Sequence, residues 1–238
     1  MSAGSAMSDA AAADSGAGAA GSPRDRGFRW PAEWEQHEAT LLAWPHDPTT
    51  WPGGVEHAEK AMAAFAVAVS KGERVDLLVR DEPQAERADA LLVAAGAADV
   101  RLVLIETADV WFRDYGPITL VKGEGSARER LSIDFTFNAW GGKYEELLAD
   151  DTIPVRVQEL LDIPLISTDL VLEGGSIDGD GDGTLLTTEQ CLLHQNRNPD
   201  LSREDLTDAL GLFLGIEKVL WLGEGVAGDD TDGHVDDI

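Results

Sequence analysis

The sequence predicts a mixed fold of the α+β or α/β class, because short apolar strands alternate with amphipathic helices along most of its 238 residues. Apolar residues make up 43% of the chain, which is enough to build a buried core. The connections between these segments are short and often contain Gly, Pro or Asp. Together these observations argue against an all-α, an all-β or a wholly disordered chain.

The predicted elements follow one another in a regular order after a tail over residues 1–27. This tail is rich in small and acidic residues, which predicts disorder and does not fit a signal peptide. Ordered structure is expected to begin near Phe28. Strands are predicted over residues 39–44, 75–79, 100–105, 118–121, 131–137, 170–172, 184–188 and 219–222, and helices over residues 56–69, 83–95 and 155–161.

Two local patterns add detail to this order. Ser202, with Asp205 three residues later, predicts the start of a further helix through a capping box. Residues 170–172 and 184–188 are expected to form two strands joined by a Gly/Asp turn.

The charge balance excludes several classes of partner. Asp and Glu number 45 against 18 Lys and Arg, for a formal net charge of -27. Such a surface repels nucleic acid and anionic lipid, and no apolar run reaches membrane-spanning length. The single cysteine rules out a disulfide within the chain. We therefore expect a cytoplasmic protein with no nucleic-acid or membrane partner; the oligomeric state is open, a homo-oligomer being one alternative.

Candidate chemistry is concentrated in four stretches that combine Trp, Gly and ionisable residues. They carry three carboxylates and one histidine next to glycines or predicted strand ends, where a backbone can approach a ligand closely. The stretches are residues 111–117 (WFRDYGP), 137–143 (FNAWGGK), 172–176 (LEGGS) and 232–237 (DGHVDD), and the four ionisable candidates are Asp114, Glu173, His234 and Asp236.

These four groups are suited to a planar cation such as guanidinium, whose N–H donors match carboxylate acceptors. His234 and Asp236 lie two residues apart, so on a strand they would face the same way and could hold a substrate and transfer a proton side by side. The set contains no obvious nucleophile.

These stretches, together with residues 31–38 (PAEWEQHE), 185–189 (LLTTE) and 196–199 (NRNP), resemble the agmatine deiminase and bacterial peptidylarginine deiminase family. The resemblance extends from about Phe28 to Ile238. It implies a pentein α/β-propeller, in which ββαβ units surround a pseudo-fivefold axis. It also implies that residues 28–238 form one deiminase domain that is incomplete at its C-terminus.

The resemblance further implies a mechanism without a metal or an organic cofactor, and the sequence itself shows no clustered His/Cys ligand set. In that mechanism a cysteine thiolate attacks the guanidinium carbon, ammonia leaves, and water hydrolyses the thiouronium intermediate. Asp114 and Asp236 would clamp the guanidinium nitrogens, and Glu173 and His234 would handle protons. The same motifs place Gly174, Trp111 and Trp140 beside the substrate, although the two indoles could instead be packing anchors without a ligand.

The nucleophile of this family lies well past the His-x-Asp motif, whereas this sequence ends two residues after Asp236. We therefore expect the chain to lack its nucleophile, to be inactive alone, and to be a piece of a longer protein or a truncated product. Cys191 is expected at the end of an apolar strand, with no adjacent cation to lower the pKa of its thiol, so a nucleophilic role is not predicted.

The substrate is expected to be agmatine first and peptidyl arginine second. Agmatine deiminases commonly have Thr where this chain has Tyr115, which weakens the assignment to agmatine without favouring peptidyl arginine decisively. The absence of a signal peptide favours a small intracellular metabolite. The rival interpretation is a non-catalytic remnant that binds guanidinium compounds. Arg113 is expected to pair with a carboxylate, and Asp229 and Asp230 to be solvated loop acids.

Residues 178–189 match the calcium-loop pattern of an EF-hand in full. Their flanks are rich in β-forming residues, so the sequence favours a Gly/Asp hairpin turn over a calcium site. Weak cation binding at this turn is left open.

Overall fold

The computed structural model describes residues 21–238. Residues 1–20 of the predicted tail lie outside the described residues. Residues 21–27, predicted to belong to the same tail, form turns in which the Arg24 N–H donates to the Leu212 carbonyl at 3.2 Å. Structure therefore begins before Phe28.

The described chain divides into two compact units. The first contains residues 21–35, Arg113–Glu145 and Val157–Ile238, and the second contains Gln36–Phe112 and Glu146–Arg156. The strands are β1 (Ala39–Ala43), β2 (Arg74–Val79), β3 (Val100–Leu104), β4 (Ile118–Lys122), β5 (Glu129–Thr136), β6 (Leu165–Val171), β7 (Ile177–Gly179), β8 (Thr184–Thr188) and β9 (Lys218–Leu222). The α-helices are α1 (Val55–Val69), α2 (Glu82–Ala95), α3 (Phe112–Tyr115), α4 (Ile153–Leu161), α5 (Glu189–Leu192) and α6 (Arg203–Leu214). A further turn, Ala139–Gly142, is left unnumbered because Trp140 and Gly141 have non-helical backbone angles.

The second unit is built on a three-stranded parallel sheet in the order β1-β2-β3. β2 is buried over Val75–Val79 and is apolar there except for Asp76, whose carboxylate pairs with Arg74 and Arg101. Helix α2 begins where the Asp81 carboxylate accepts from the Gln84 N–H at 2.8 Å, and it ends at Gly96 in a left-handed conformation. The core of this unit includes Trp44 and Leu77.

The first unit contains two three-stranded sheets with the same topology. β4 and β5 are antiparallel, and β6 lies parallel to β5. β7 and β8 are likewise antiparallel, and β9 lies parallel to β8. Since a helix stands in the chain before the third strand of each sheet, both follow the ββαβ order.

The hairpin around the acidic turn corrects one predicted pairing. β8 pairs with β7 (Ile177–Gly179), not with residues 170–172, which belong to β6 and a different sheet. β7 is only three residues long and ends in glycine, so its sequence gives no periodic signal. The predicted Gly/Asp turn is confirmed: the Asp180 N–H donates to the Thr184 carbonyl at 3.1 Å.

The capping box that begins α6 is confirmed, since the Ser202 hydroxyl accepts from the Asp205 N–H and the Asp205 carboxylate accepts from the Ser202 N–H. The mixed α/β class is confirmed as well. The three sheets of the described chain are separate and none is closed, so the five-unit propeller stays a prediction. Within residues 21–238, none of the helices has both the length and the apolar character needed to cross a membrane.

Candidate active site

The structure brings the four predicted ionisable residues together in the first unit. His234 is their centre: its Nδ1 lies 3.6 Å from Oδ1 of Asp114 and 3.8 Å from Oδ1 of Asp236. Its Nε2 lies 4.0 Å from Oε2 of Glu173. The imidazole is therefore surrounded by three carboxylates that come from separate parts of the sequence.

The backbone around His234 differs from the predicted strand. His234 directly precedes a 3₁₀ turn, Val235–Asp237, and Asp236 lies on that turn. The two side chains still converge, because the turn folds the chain back rather than extending it.

Asp229, which the sequence predicts as a solvated acid, instead organises the loop before His234. Its carboxylate accepts from the N–H groups of Thr231 at 2.8 Å, Gly233 at 2.6 Å and His234 at 3.1 Å. Although burial opposes ionisation, these hydrogen bonds lower the pKa of Asp229 to about 2. An Asp followed at short range by Thr and Gly is a turn signal that could have indicated this role.

Asp114 is held from two sides. Its Oδ1 accepts from the Gly175 N–H at 3.0 Å, and its Oδ2 accepts from the Trp140 indole N–H at 3.0 Å. Burial, with added repulsion from the charges of Glu173 and Asp236, raises the pKa of Asp114 to about 7 despite those hydrogen bonds. An approaching cation would therefore find this carboxyl ready to lose its proton near neutral pH.

Trp140 reaches Asp114 from an unusual backbone turn. The consecutive residues Ala139 and Trp140 have φ values of 55° and 54°, a left-handed conformation that costs a non-glycine residue free energy. The indole packs edge-on against Phe137, with ring centroids 5.0 Å apart. Trp140 thus donates a hydrogen bond to a site carboxylate, a role beyond the substrate contact or packing anchor that was predicted for it.

Glu173 follows β6 and is fully buried together with Arg197, a residue for which no role was predicted from the sequence. Nε of Arg197 donates to Oε1 of Glu173 at 2.8 Å, and its Nη1 donates to Oδ2 of Asp232 at 2.8 Å. Lys143 binds the other oxygen of Asp232 at 2.6 Å. Positive and negative side chains alternate along this row of ion pairs, which holds Glu173 in place. In the sequence, the NRNP stretch was the signal that could have pointed to Arg197.

Two buried atoms face each other without a partner. Among the described residues, Oε2 of Glu173 and Nε2 of His234 have no hydrogen-bond partner. A buried polar atom that is left unpaired costs on the order of 1–3 kcal/mol. Both atoms are therefore available to a ligand.

The charge states of these groups follow from their surroundings. Burial, reinforced by the positive charge of Arg197, lowers the pKa of His234 to about 4, so its imidazole is neutral at pH 7. Burial raises the pKa of Glu173, and burial also raises the pKa of Asp236. A neutral base among carboxylates that are costly to ionise is an environment that a cation would stabilise.

The glycines of the LEGGS stretch make room for this cluster. A Cβ on Gly175 would lie 2.6 Å from Nδ1 of His234 and 2.7 Å from Oδ1 of Asp114, so only glycine fits. A Cβ on Gly174 would lie 2.1 Å from the Arg113 carbonyl, so Gly174 serves backbone packing at this position. Gly174, predicted to lie beside the substrate, thus borders the Arg113 backbone, whereas Gly175, for which no role was predicted, borders the site side chains.

The remaining predicted residues have distinct surroundings. Arg113 pairs with Glu33, as predicted. Tyr115 is buried edge-on against Phe137, with centroids 5.9 Å apart. Trp111 belongs to the second unit, where it stacks on Trp51 and donates its indole N–H to Asp109 at 3.1 Å.

Cys191 was predicted at the end of a strand. It lies instead on α5, a single helical turn that follows β8. It is fully buried, and burial raises the pKa of its thiol far above the usual range, with a further contribution from the charge of Glu173. A thiol in this state is a poor nucleophile. Its Sγ, with a carboxylate oxygen of Glu173 and a ring nitrogen of His234, forms a group of three atoms that lie within 4.8 Å of one another, a cluster that the linear sequence does not reveal.

The geometry defines a site on a mixed α/β scaffold in which a neutral histidine lies among three carboxylates, and in which one atom of the histidine and one of Glu173 are unpaired. Comparison with known families agrees with the resemblance seen in the sequence. The model of the Porphyromonas-type peptidyl-arginine deiminase family matches residues 29–238. The chain belongs to this family.

Individual relatives give the same picture. The chain is 43% identical over 221 residues to an agmatine deiminase of Ectopseudomonas mendocina, covering 91% of this chain and 58% of that protein. It is 41% identical over 226 residues to an agmatine deiminase of Medicago truncatula, covering 91% and 59% respectively. The chain thus spans less than two thirds of the length of these curated relatives.

Solved structures match at the level of the fold. The agmatine deiminase of Enterococcus faecalis superposes with a TM-score of 0.84 at 36% identity, over 92% of this chain and 60% of that one. A C. jejuni agmatine deiminase with substrate bound gives a TM-score of 0.77 at 30% identity, over 87% of this chain and 60% of that one.

Proposed function

We propose that the protein containing this chain hydrolyses a guanidinium group, with agmatine as the substrate and N-carbamoylputrescine and ammonia as the products. The observation that carries the proposal is the pair of unpaired buried atoms, Oε2 of Glu173 and Nε2 of His234, among three carboxylates. Guanidinium presents N–H donors in one plane, and carboxylates are its natural acceptors.

Each group has a role in this proposal. Asp114 and Asp236 accept N–H groups of the guanidinium from one side, and the free oxygen of Glu173 accepts from the other. His234 is neutral at pH 7 because its pKa is about 4, so it accepts a proton readily only from a group made acidic in the reaction. Arg197 engages Oε1 of Glu173 and thereby leaves Oε2 to the substrate.

The reaction proceeds by covalent catalysis in this proposal. The neutral His234 first takes the proton of the cysteine thiol. The thiolate adds to the guanidinium carbon, the protonated His234 gives that proton to one terminal nitrogen, the C–N bond breaks and ammonia leaves. Water then adds to the thiouronium carbon and gives one proton to His234. As the C–S bond breaks, the remaining hydroxyl proton passes to the sulfur, the ureido product and the thiol are released, and His234 returns its proton to solvent. We do not assign the nucleophile to Cys191, because its buried thiol stays protonated.

The pentein propeller of ββαβ units remains part of the proposal, supported by the two ββαβ sheets.

The experiment is to express the natural protein in full and measure ammonia and ureido product with agmatine as the substrate. We expect turnover that Glu173→Gln and His234→Ala reduce by about 10²-fold or more. A matched control is His57→Ala, since His57 is exposed on α1 in the other unit. A protein that is folded, binds agmatine and releases no ammonia would leave the guanidinium-binding remnant as the better account.

Peptidyl arginine is the second candidate substrate, favoured by the description of the family whose model matches the chain. Tyr115 does not help to decide, since its ring is buried against Phe137. Parallel assays with agmatine and with an arginine-containing peptide separate the two, and we expect higher kcat/KM for agmatine.

A further inference from the structure

The buried cluster around His234 contains a third ligand type that guanidinium chemistry does not use. Cys191 contributes a sulfur whose distance to a carboxylate oxygen of Glu173 and to a ring nitrogen of His234 is within 4.8 Å. No other group of this kind occurs among residues 21–238. Sulfur, imidazole nitrogen and carboxylate oxygen together are a ligand set that zinc accepts.

From this juxtaposition we propose that Glu173, Cys191 and His234 form a binding site for a thiophilic divalent cation of the zinc type. The site is separate in purpose from the proposed hydrolysis, which needs no metal. Because Glu173 and His234 would bind either the metal ion or the guanidinium group, a bound metal would exclude guanidinium from the same atoms. This exclusion rests on the proposed function, whereas the metal site itself does not.

The unpaired atoms are the second observation that supports the site. Oε2 of Glu173 and Nε2 of His234 are buried, lack a hydrogen-bond partner among the described residues and lie 4.0 Å apart. Ligand atoms around a tetrahedral zinc ion are roughly 3.4–3.8 Å apart, given metal–ligand bonds of about 2.0–2.3 Å. Side-chain rotations of less than about 1 Å would therefore close the set around an ion.

The surroundings of His234 are those of a metal-binding histidine. When Nε2 binds a metal, the N–H at Nδ1 is commonly directed to a carboxylate, which fixes the ring. Here Nδ1 lies 3.6 Å from Asp114 and 3.8 Å from Asp236.

The charge balance also allows a divalent cation. The positive charge of Arg197 repels a cation, but the Arg197 side chain already donates hydrogen bonds to Oε1 of Glu173 and to Asp232. Three carboxylates surround the imidazole on the other sides. Coordination converts the Cys191 thiol into a thiolate: the S–H bond breaks, the S–metal bond forms and the proton leaves to solvent.

The test is a titration of the chain with Co²⁺, which binds ligand sets of this type and reports them by absorption. Since Cys191 is the only cysteine of the sequence, a thiolate-to-cobalt band in the near ultraviolet identifies its coordination. We expect the band to saturate at one ion per chain and to disappear when Zn²⁺ is added. Cys191→Ser should remove the band, and Glu173→Gln should weaken binding by about tenfold or more. His57→Ala should leave both unchanged.

A second measurement guards against variants that fail to fold. Zinc X-ray absorption of the unaltered protein should give one sulfur ligand with nitrogen or oxygen ligands. Binding with nitrogen and oxygen ligands alone would overturn the proposal, as would a thiolate band that survives Cys191→Ser. The absence of any binding up to about 1 mM, the weak limit of specific affinity, would overturn it equally.

Discussion

Oε2 of Glu173 and Nε2 of His234 face each other 4.0 Å apart, buried, and neither has a hydrogen-bond partner within the described part of the chain. The other oxygen of Glu173 is held by Arg197, and the other nitrogen of His234 lies beside Asp114 and Asp236. One oxygen of Glu173 is thus held by a hydrogen bond, one nitrogen of His234 lies beside two carboxylates, and the facing atom of each side chain is open. In the proposed function, these two open atoms are where the planar cation binds.

A substitution at Gly175 tests whether binding requires the close approach of the Asp114, His234 and Asp236 side chains. In Gly175→Ala the new Cβ would lie within 2.7 Å of three polar atoms, those of Asp236, His234 and Asp114. We expect at least about tenfold weaker agmatine binding, measured by calorimetry, because the carboxylates must move apart. Gly223→Ala is the matched control, since a Cβ there meets nothing within 4 Å. Equal binding by both variants would mean that the clustered geometry is not needed.

The carboxyl of Asp114 should make stability depend on pH. Its pKa is raised to about 7 in the folded state from 3.8, so the folded protein holds a proton that the unfolded chain loses. Between these values stability falls as pH rises. As pH rises from 5 to 8, the free energy of unfolding of Asp114→Asn should increase by roughly 2–3 kcal/mol relative to that of the natural protein. Unfolding in urea at the two pH values measures this difference.

His234 contributes with the opposite sign. Its pKa is lowered to about 4 from 6.5, so its contribution falls as pH drops through that window. The comparison between protein and variant cancels this contribution, because both carry His234. A pH-independent difference between them would contradict the assigned state of Asp114.

The buried pair of Glu173 and Arg197 predicts a coupling energy. Arg197→Met leaves the Glu173 charge unpaired, and we expect a loss of about 3–5 kcal/mol in the free energy of unfolding. Adding Glu173→Gln should recover part of that loss, which a double-mutant cycle measures. The exposed pair of Arg203 and Glu189 is the control and should show about 1 kcal/mol or less. Additive losses at the buried pair would count against the ion pair.

Asp229 should determine how firmly the His234 loop is held. Asp229→Ala removes the acceptor of the Thr231, Gly233 and His234 N–H groups. We expect faster hydrogen exchange at Gly233, equivalent to roughly 2–4 kcal/mol less local protection. Asp230→Ala is matched to it, because the Asp230 carboxylate accepts from the exposed Tyr144 hydroxyl instead. An unchanged rate at Gly233 in Asp229→Ala would refute this role.

The sequence identified most strands and helices because their apolar periodicity is local. It failed at β7, which is too short for a period, and it paired β8 with the wrong segment as a consequence. Asp114, Glu173, His234 and Asp236 could be chosen because each lies in an unusual local stretch. The contacts of Arg197 with Glu173 and Asp232 could not be predicted, because only the fold brings these residues together, whereas the local turn that Asp229 holds left a signal in the sequence.

Cys191 illustrates the same limit. Its neighbours in sequence gave no reason to connect it with Glu173 and His234, and periodicity placed it on a strand. Instead, the turn of α5 after β8 carries its sulfur to the buried cluster. Proximity to a site through folding is information that residue spacing alone does not contain.

The central claim is that this cluster recognises guanidinium, and the most direct measurement is calorimetric binding of agmatine beside putrescine. The two compounds share the amine and the four-carbon chain, and only agmatine carries the guanidinium group. We predict that agmatine binds at least about tenfold more tightly than putrescine, and that Glu173→Gln removes this preference. Equal affinities for the two compounds, or a preference that persists in Glu173→Gln, would contradict the account.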